Sequence, residues 1–255
     1  MISLAVRRHP GLALRPALFL CALLMPVALL GGCRQQGDWQ HLEGVALDTG
    51  YHITLNGDLQ AAERDLLMAA IQGELASLET ESETLRGLLL AGWPTRDAAQ
   101  LPFLASLLEA LRGAEQARAV DRLDAVLAEF GIDHAMVELG GVVRTRGQAG
   151  RRPWRLALDR SGLDDAPAPP LRLRDAALVT REQPGDAVMP DGGGERLLAV
   201  SVVADTAEQA DRRARELLLA GPSAADMEQA IRLVVLRPQG IDIQYGTALE
   251  PLLER

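Results

Sequence analysis

Two adjacent glycines, Gly140 and Gly141, stand between the apolar segments Ala135 to Leu139 and Val142 to Arg146. A Gly-Gly step between strands lets a ligand approach the backbone closely, and a tight turn or bulge explains it equally well. Histidine chemistry has little support, because His9 lies in the leading segment and His41, His52 and His134 share no metal-ligand spacing. Neither a zinc site nor a Ser-His-Asp triad is expected from them. All 26 basic residues are arginine, so Schiff-base chemistry and a P-loop lysine are both ruled out. With 35 acidic residues and no basic stripe, the chain is a poor match for a phosphate backbone, and no nucleic-acid partner is expected.

Residues 1–32 read as an export signal. They carry Arg7, Arg8 and Arg15, no acid, an apolar run from Ala17 to Leu30, and then Gly31-Gly32-Cys33. A basic start, a short apolar centre and a small-residue end are the marks of a signal peptide, and the run falls short of the roughly 20 residues a membrane span needs. Leu30-Gly31-Gly32-Cys33 resembles a bacterial lipobox. That resemblance implies lipidation of Cys33, a tether over residues 33–43 and a periplasm-facing chain, with Arg34 in place of Asp favouring the outer membrane. Removal of the signal leaves 23 arginines against the same 35 acids. It also removes Cys21, and the lipid takes Cys33, so no disulfide or thiol nucleophile is expected.

The remaining chain, 44–255, is long enough for one or two domains. Val45, Leu47, Tyr51, Ile53 and Leu55 alternate as a strand interrupted at Thr49-Gly50. Leu66, Leu67, Ala70, Ile71, Leu75 and Leu78 recur at helical spacing and predict a helix over 59–86. After a break at Gly92-Trp93-Pro94, residues 101–130 read as one or two helices. Strands are predicted at 135–139, 142–146, 154–158, 178–180, 197–203 and 231–236, with a helix over 206–220. Ala166-Pro167-Ala168-Pro169-Pro170 and Asp191-Gly192-Gly193-Gly194 read as loops. Helices and strands do not alternate regularly, which predicts a single α+β domain, a mixed β-sheet with packed helices.

Several of these segments, taken in order, resemble the FAD:protein FMN transferase (ApbE) family. They are Val137-Glu138-Leu139-Gly140-Gly141, the strand with Trp154, Ala176-Ala177-Leu178-Val179-Thr180, Leu198 to Asp211, and Leu218-Leu219-Ala220-Gly221. The N-terminal Thr49-x-Tyr51 fits as well, so that the likeness spans most of 44–236. The resemblance implies an enzyme that cleaves FAD between its phosphates, transfers FMN to a protein threonine and releases AMP. Its acceptor would belong to a membrane-bound redox complex. It also implies FAD as substrate and Mg²⁺ as cofactor, with Asp211 as metal ligand and Asp121, Glu138, Gly140, Gly141 and Thr180 at the flavin.

Departures accompany the match. Where the family carries a metal-binding Thr four residues beyond the Asp, this chain has Arg215, and a guanidinium cannot ligate a cation. The family's Lys-Gly-Tyr-Ala-Val-Asp corresponds to Gln116-Ala117-Arg118-Ala119-Val120-Asp121, and its Ser-Gly after the strand Thr corresponds to Arg181-Glu182. The His-bearing segment shrinks to Ala187–Gly192, and the stretch between Trp93 and Gly113 is short. Each candidate also has a structural reading: Asp211 as a helix first-turn acid, Asp121 as a solvated helix acid, Glu138 as a strand-neighbour partner, Thr180 as a strand-end hydroxyl. Two functions follow, a divergent flavin transferase or a non-catalytic lipoprotein that keeps the fold to bind flavin or a protein partner.

Overall fold

Two tight hairpins set the register of the first half of the sheet. Strand β1, Trp39–Ala46, turns through Leu47 and Asp48 into β2, Thr49–Asn56. Both turn residues have positive φ, +49° and +61°, a two-residue turn of the twist that hairpins favour. Leucine is an unusual residue there. It is held by burial of its side chain and by its N–H, which donates to Glu79 Oε1 at 2.9 Å. Strand β3, Ala135–Leu139, turns into β4, Val142–Arg146, through Gly140 and Gly141 at φ +59° and +77°.

These coordinates form a computed structural model that describes residues 39–92, 101–158, 168–183 and 194–254. The signal, the lipobox with Cys33, Trp93-Pro94, Ala166 and Pro167 of the Pro-rich stretch, Ala187–Gly192 and the start of the 191–194 turn lie outside them. The remaining elements are helix α1, Ala61–Gly92, helix α2, Leu101–Glu129, strands β5, Trp154–Leu156, β6, Leu171–Leu173, β7, Ala177–Glu182, and β8, Arg196–Ala204, helix α3, Ala207–Ala220, and strands β9, Ile231–Arg237, and β10, Gly240–Tyr245.

The α+β class is as the sequence indicates, but the sheet is antiparallel in every described pairing rather than mixed in direction. Its strand order is β1-β2-β3-β4-β7-β8-β9-β10, and β5 and β6 make a separate pair. Short hairpin turns between β1 and β2, β3 and β4, and β9 and β10 force antiparallel pairing, since parallel neighbours need long crossovers. β1 begins at Trp39, inside the stretch read as tether, and Leu42 and Ala46 are the inward positions of its alternation. Residues 240–245 form an edge strand that the sequence did not signal.

One face of the sheet carries helices α1, α2 and α3. Ala135, Val137 and Leu139 of β3 meet Leu67, Ile71, Leu75 and Leu78 of α1, Val120, Leu123 and Leu127 of α2, and Ala207, Ala210, Ala214 and Leu217 of α3. The spacings of three and four residues on each helix give a single apolar stripe. The opposite face is covered over part of its width by Leu156, Leu171, Leu173 and Leu249, packed with Leu178.

Candidate functional site

The start of α3 is built by residues distant in sequence. Thr206 caps it, accepting the Gln209 N–H at 3.2 Å. Asp121 of α2 accepts the N–H groups of Ala207 and Glu208, each at 2.9 Å. Three of the four backbone donors that a helix leaves unpaired at this end are thereby satisfied, with a negative charge at the positive end of the helix dipole. Beside it, Asp124 receives Arg144 Nε at 3.0 Å and Arg146 Nε and Nη2 at 2.9 and 2.8 Å. The Asp121 carboxylate is therefore an anchor between two helices rather than a solvated acid.

One turn further along α3 lies Asp211, fully buried. Arg181 of β7 donates its Nε to Asp211 Oδ1 at 2.8 Å and its Nη2 to the Gly113 carbonyl at 2.9 Å. Arg215, four residues beyond Asp211, places Nη2 2.7 Å from Asp211 Oδ2. This second contact is close enough for an ion pair, yet Oδ2 has no hydrogen-bond partner, so its geometry is not that of a hydrogen bond. Gly113 sits inside α2, where glycine costs roughly 0.5–1 kcal/mol relative to alanine. A Cβ there would meet the Arg181 guanidinium at 3.1 Å, so the glycine gives Arg181 its path to Asp211.

These residues border a cleft of about 430 Å³. Its walls are Ala110 and Gly113 of α2, Thr180 to Gln183 at the end of β7, and Arg215, Leu218 and Leu219 of α3. The volume lies within the ~300–1,000 Å³ of small-molecule sites.

Of the residues that the resemblance places at the metal or the flavin, Thr180 lines this cleft, and Asp211 lies buried behind Arg181 and Arg215. Alternation along β7 puts Arg181 on the helix-bearing face with Ala177 and Val179, and Thr180 on the other face with Leu178. There the Thr180 hydroxyl meets the Ser201 hydroxyl at 2.9 Å. Glu138 likewise shares its face with Met136, away from the helices, opposite His52 and Val143 on its two neighbours. Gly140 has a packing role, since a Cβ at that position would lie 2.4 Å from the Gln116 side chain. Gly141 faces open space and needs only its positive φ.

The residues at Asp211 do not fit a magnesium ion. Mg²⁺ requires oxygen ligands in near-octahedral order, and both carboxylate oxygens of Asp211 already face guanidinium nitrogens. A divalent cation there would sit against two positive charges, a repulsion on the order of several kcal/mol per pair near a protein surface. Among the described residues, no three His, Cys, Asp or Glu side chains gather into a metal-holding group. Sequence reading noted Arg181 as a departure from the family but missed its pairing with Asp211 and the Gly113 carbonyl. A lone glycine inside a helical pattern is the one local signal of that pairing.

Comparison with known proteins agrees with this frame. The ApbE family model matches residues 110–181, the stretch from the cleft wall on α2 to Arg181. No curated protein sequence matches the chain. Among solved structures, the flavin transferase ApbE from Vibrio cholerae is 17% identical, with a TM-score of 0.63 over 85% of this chain and 99% of that one. The flavinyl transferase ApbE of Pseudomonas stutzeri, in its apo form, is 16% identical, with a TM-score of 0.61 over 86% and 98%. The ApbE protein of Thermotoga maritima, also 16% identical, has a TM-score of 0.56 over 86% and 100%. The chain thus shares the fold of the ApbE structures, and its residues 110–181 match the ApbE family model.

Proposed function

We propose that this chain is an exported lipoprotein, anchored through Cys33 and facing the periplasm from the outer membrane, whose ApbE domain binds a flavin nucleotide without carrying out Mg²⁺-dependent FMN transfer. The observation that carries the second half is the pairing of Asp211 with both Arg181 and Arg215. Transfer of FMN from FAD requires the pyrophosphate charge to be neutralised as the bond to AMP breaks, which is the task of a divalent cation in metal-assisted phosphoryl chemistry. Both oxygens of Asp211 face guanidinium nitrogens, whose charge opposes such a cation. Flavin binding is supported by the family, by the fold, and by a cleft that joins an apolar wall, Ala110, Leu218 and Leu219, to two arginines.

The test is titration of FAD fluorescence with the full-length protein in mild detergent, with and without Mg²⁺, followed by assay of the same mixtures for AMP. Quenching that saturates without AMP release is the expected result. Mg²⁺-dependent AMP release would overturn the non-catalytic reading, and absence of quenching would overturn flavin binding. The anchor is tested separately: Cys33→Ala should move the chain from the membrane fraction to the soluble periplasm.

A further inference from the structure

The balance of charges at Asp211 is unequal: two guanidiniums face one carboxylate. We propose that Arg181 and Arg215 form a metal-free seat for phosphate oxygens, so that a ligand combining an apolar ring with a phosphate or diphosphate binds this cleft with no divalent cation. The ring would lie against Leu218 and Leu219, and the flavin identity of that ligand rests on the reading above, whereas the anion seat does not.

The two arginines have different parts. Arg181 is mostly buried and fixed at both ends of its guanidinium, by Asp211 Oδ1 and by the Gly113 carbonyl. It supplies a rigid positive charge in a partly desolvated place, where such a charge acts more strongly than in water. Arg215 is half-open to the cleft. Its Nη2 is held 2.7 Å from Asp211 Oδ2 as an ion pair without hydrogen-bond geometry, and its Nε is buried without any acceptor. A buried donor left unpaired costs roughly 1–3 kcal/mol. An oxyanion drawn to the Arg215 fork relieves that cost as the side chain turns to receive it, and a planar guanidinium suits bidentate phosphate binding.

Two acids also border the cleft. Glu109 is paired with Arg112 at 3.2 Å, and Glu182 is exposed at the strand end. Both stand nearer to solvent than Asp211, where their repulsion of an anion is screened. Leu219, 89% exposed at the rim, is an apolar surface that a ring can cover.

Calorimetric titrations of the full-length protein with inorganic pyrophosphate, FMN and riboflavin, in EDTA and in Mg²⁺, test this. Pyrophosphate should bind in EDTA, and FMN should bind at least tenfold tighter than riboflavin, with Kd unchanged by Mg²⁺ and weakened by salt. Arg215→Gln should bring FMN down to the riboflavin affinity while leaving riboflavin unchanged. Arg215→Lys, which keeps the charge and the fold, should lose part of the preference. Equal affinity for FMN and riboflavin, or a requirement for Mg²⁺, would overturn the seat and leave flavin binding standing. Pyrophosphate binding that Arg215→Gln abolishes, with no flavin bound, would keep the seat and sink the flavin reading. Failure of pyrophosphate and flavins alike would sink both.

Discussion

Two acid–arginine clusters lie one turn apart on α3, and they differ in stoichiometry. At the helix start, Asp121 and Asp124 meet Arg144 and Arg146, and the Asp121 oxygens are further taken by two backbone N–H groups. Acids and bases are equal there, and the acceptors are matched by donors. Around Asp211, two arginines share one acid, one oxygen lacks a hydrogen bond, and one guanidinium nitrogen is orphaned beside a cleft. Both clusters border clefts, but the same residue types make a fully paired structural joint in one place and an unsatisfied cationic site in the other. Buried charges are tolerated when they are paired and hydrogen-bonded. An incomplete set is therefore where a ligand has something to gain.

The largest effect should come from opening the closed joint. Asp124→Ala removes the partner of two mostly buried arginines, and breaking such a pair costs about 3–5 kcal/mol. Denaturant unfolding should show this loss while flavin affinity in the surviving folded protein stays unchanged. If affinity falls in parallel, the two clusters are not separate.

Asp211→Asn sharpens the contrast from the other side. It removes the charge that Arg181 and Arg215 share, lowering stability by about 2 kcal/mol, the scale of a hydrogen bond to a charged group. It should at the same time raise pyrophosphate affinity severalfold, because the local charge rises by one. A drop in that affinity would show that Asp211 positions the arginines more than it competes with the ligand.

Thr206→Ala should cost about 1 kcal/mol, the usual worth of a helix N-cap. Unfolding of that variant measures how much of the helix start Asp121 can hold alone. The smallest effect is a pH dependence far from either cluster. Burial raises the Tyr51 phenol above its ordinary value of 10.0. The phenol of the unfolded chain then ionises first, so stability is intact below pH 10 and falls as pH rises from there through the folded value. Tyr51→Phe should flatten that decline in unfolding curves recorded above pH 10.

Much of the fold was legible because it depends on local periodicity. Strands β3 and β4 lie where the apolar segments placed them, and α3 begins one residue after its predicted start. α2 is one continuous helix, and α1 runs six residues past Arg86. Besides the three-residue β6, the strand segments missed are ones with weak local signals. β1 starts with Trp-Gln-His in an apparent tether, and β10 is an edge strand, Gly-Ile-Asp-Ile-Gln-Tyr, with no fully buried position. Its partner β9 holds it in place more than its own composition does.

The candidate site was less legible. Asp211 and Arg215 share a helix face by their i, i+4 spacing, and that alone set them together. Arg181 stands 30 residues before Asp211 and Gly113 another 68 before Arg181, and no local pattern links them. Family likeness associates Thr180 and Glu138 with the flavin; strand alternation puts both side chains on the face of the sheet away from the helices, with Thr180 still at the edge of the cleft.

The sequence by itself determined most of the elements, the α+β class, the ApbE likeness and the presence of an arginine where a metal ligand would stand, because each of these is written in composition, period or spacing along the chain. Only the tertiary structure decided what Asp211 does. A carboxylate is a metal ligand or an ion-pair partner according to which charges the folded chain brings within about 3 Å of its oxygens, and here the fold brought two guanidiniums.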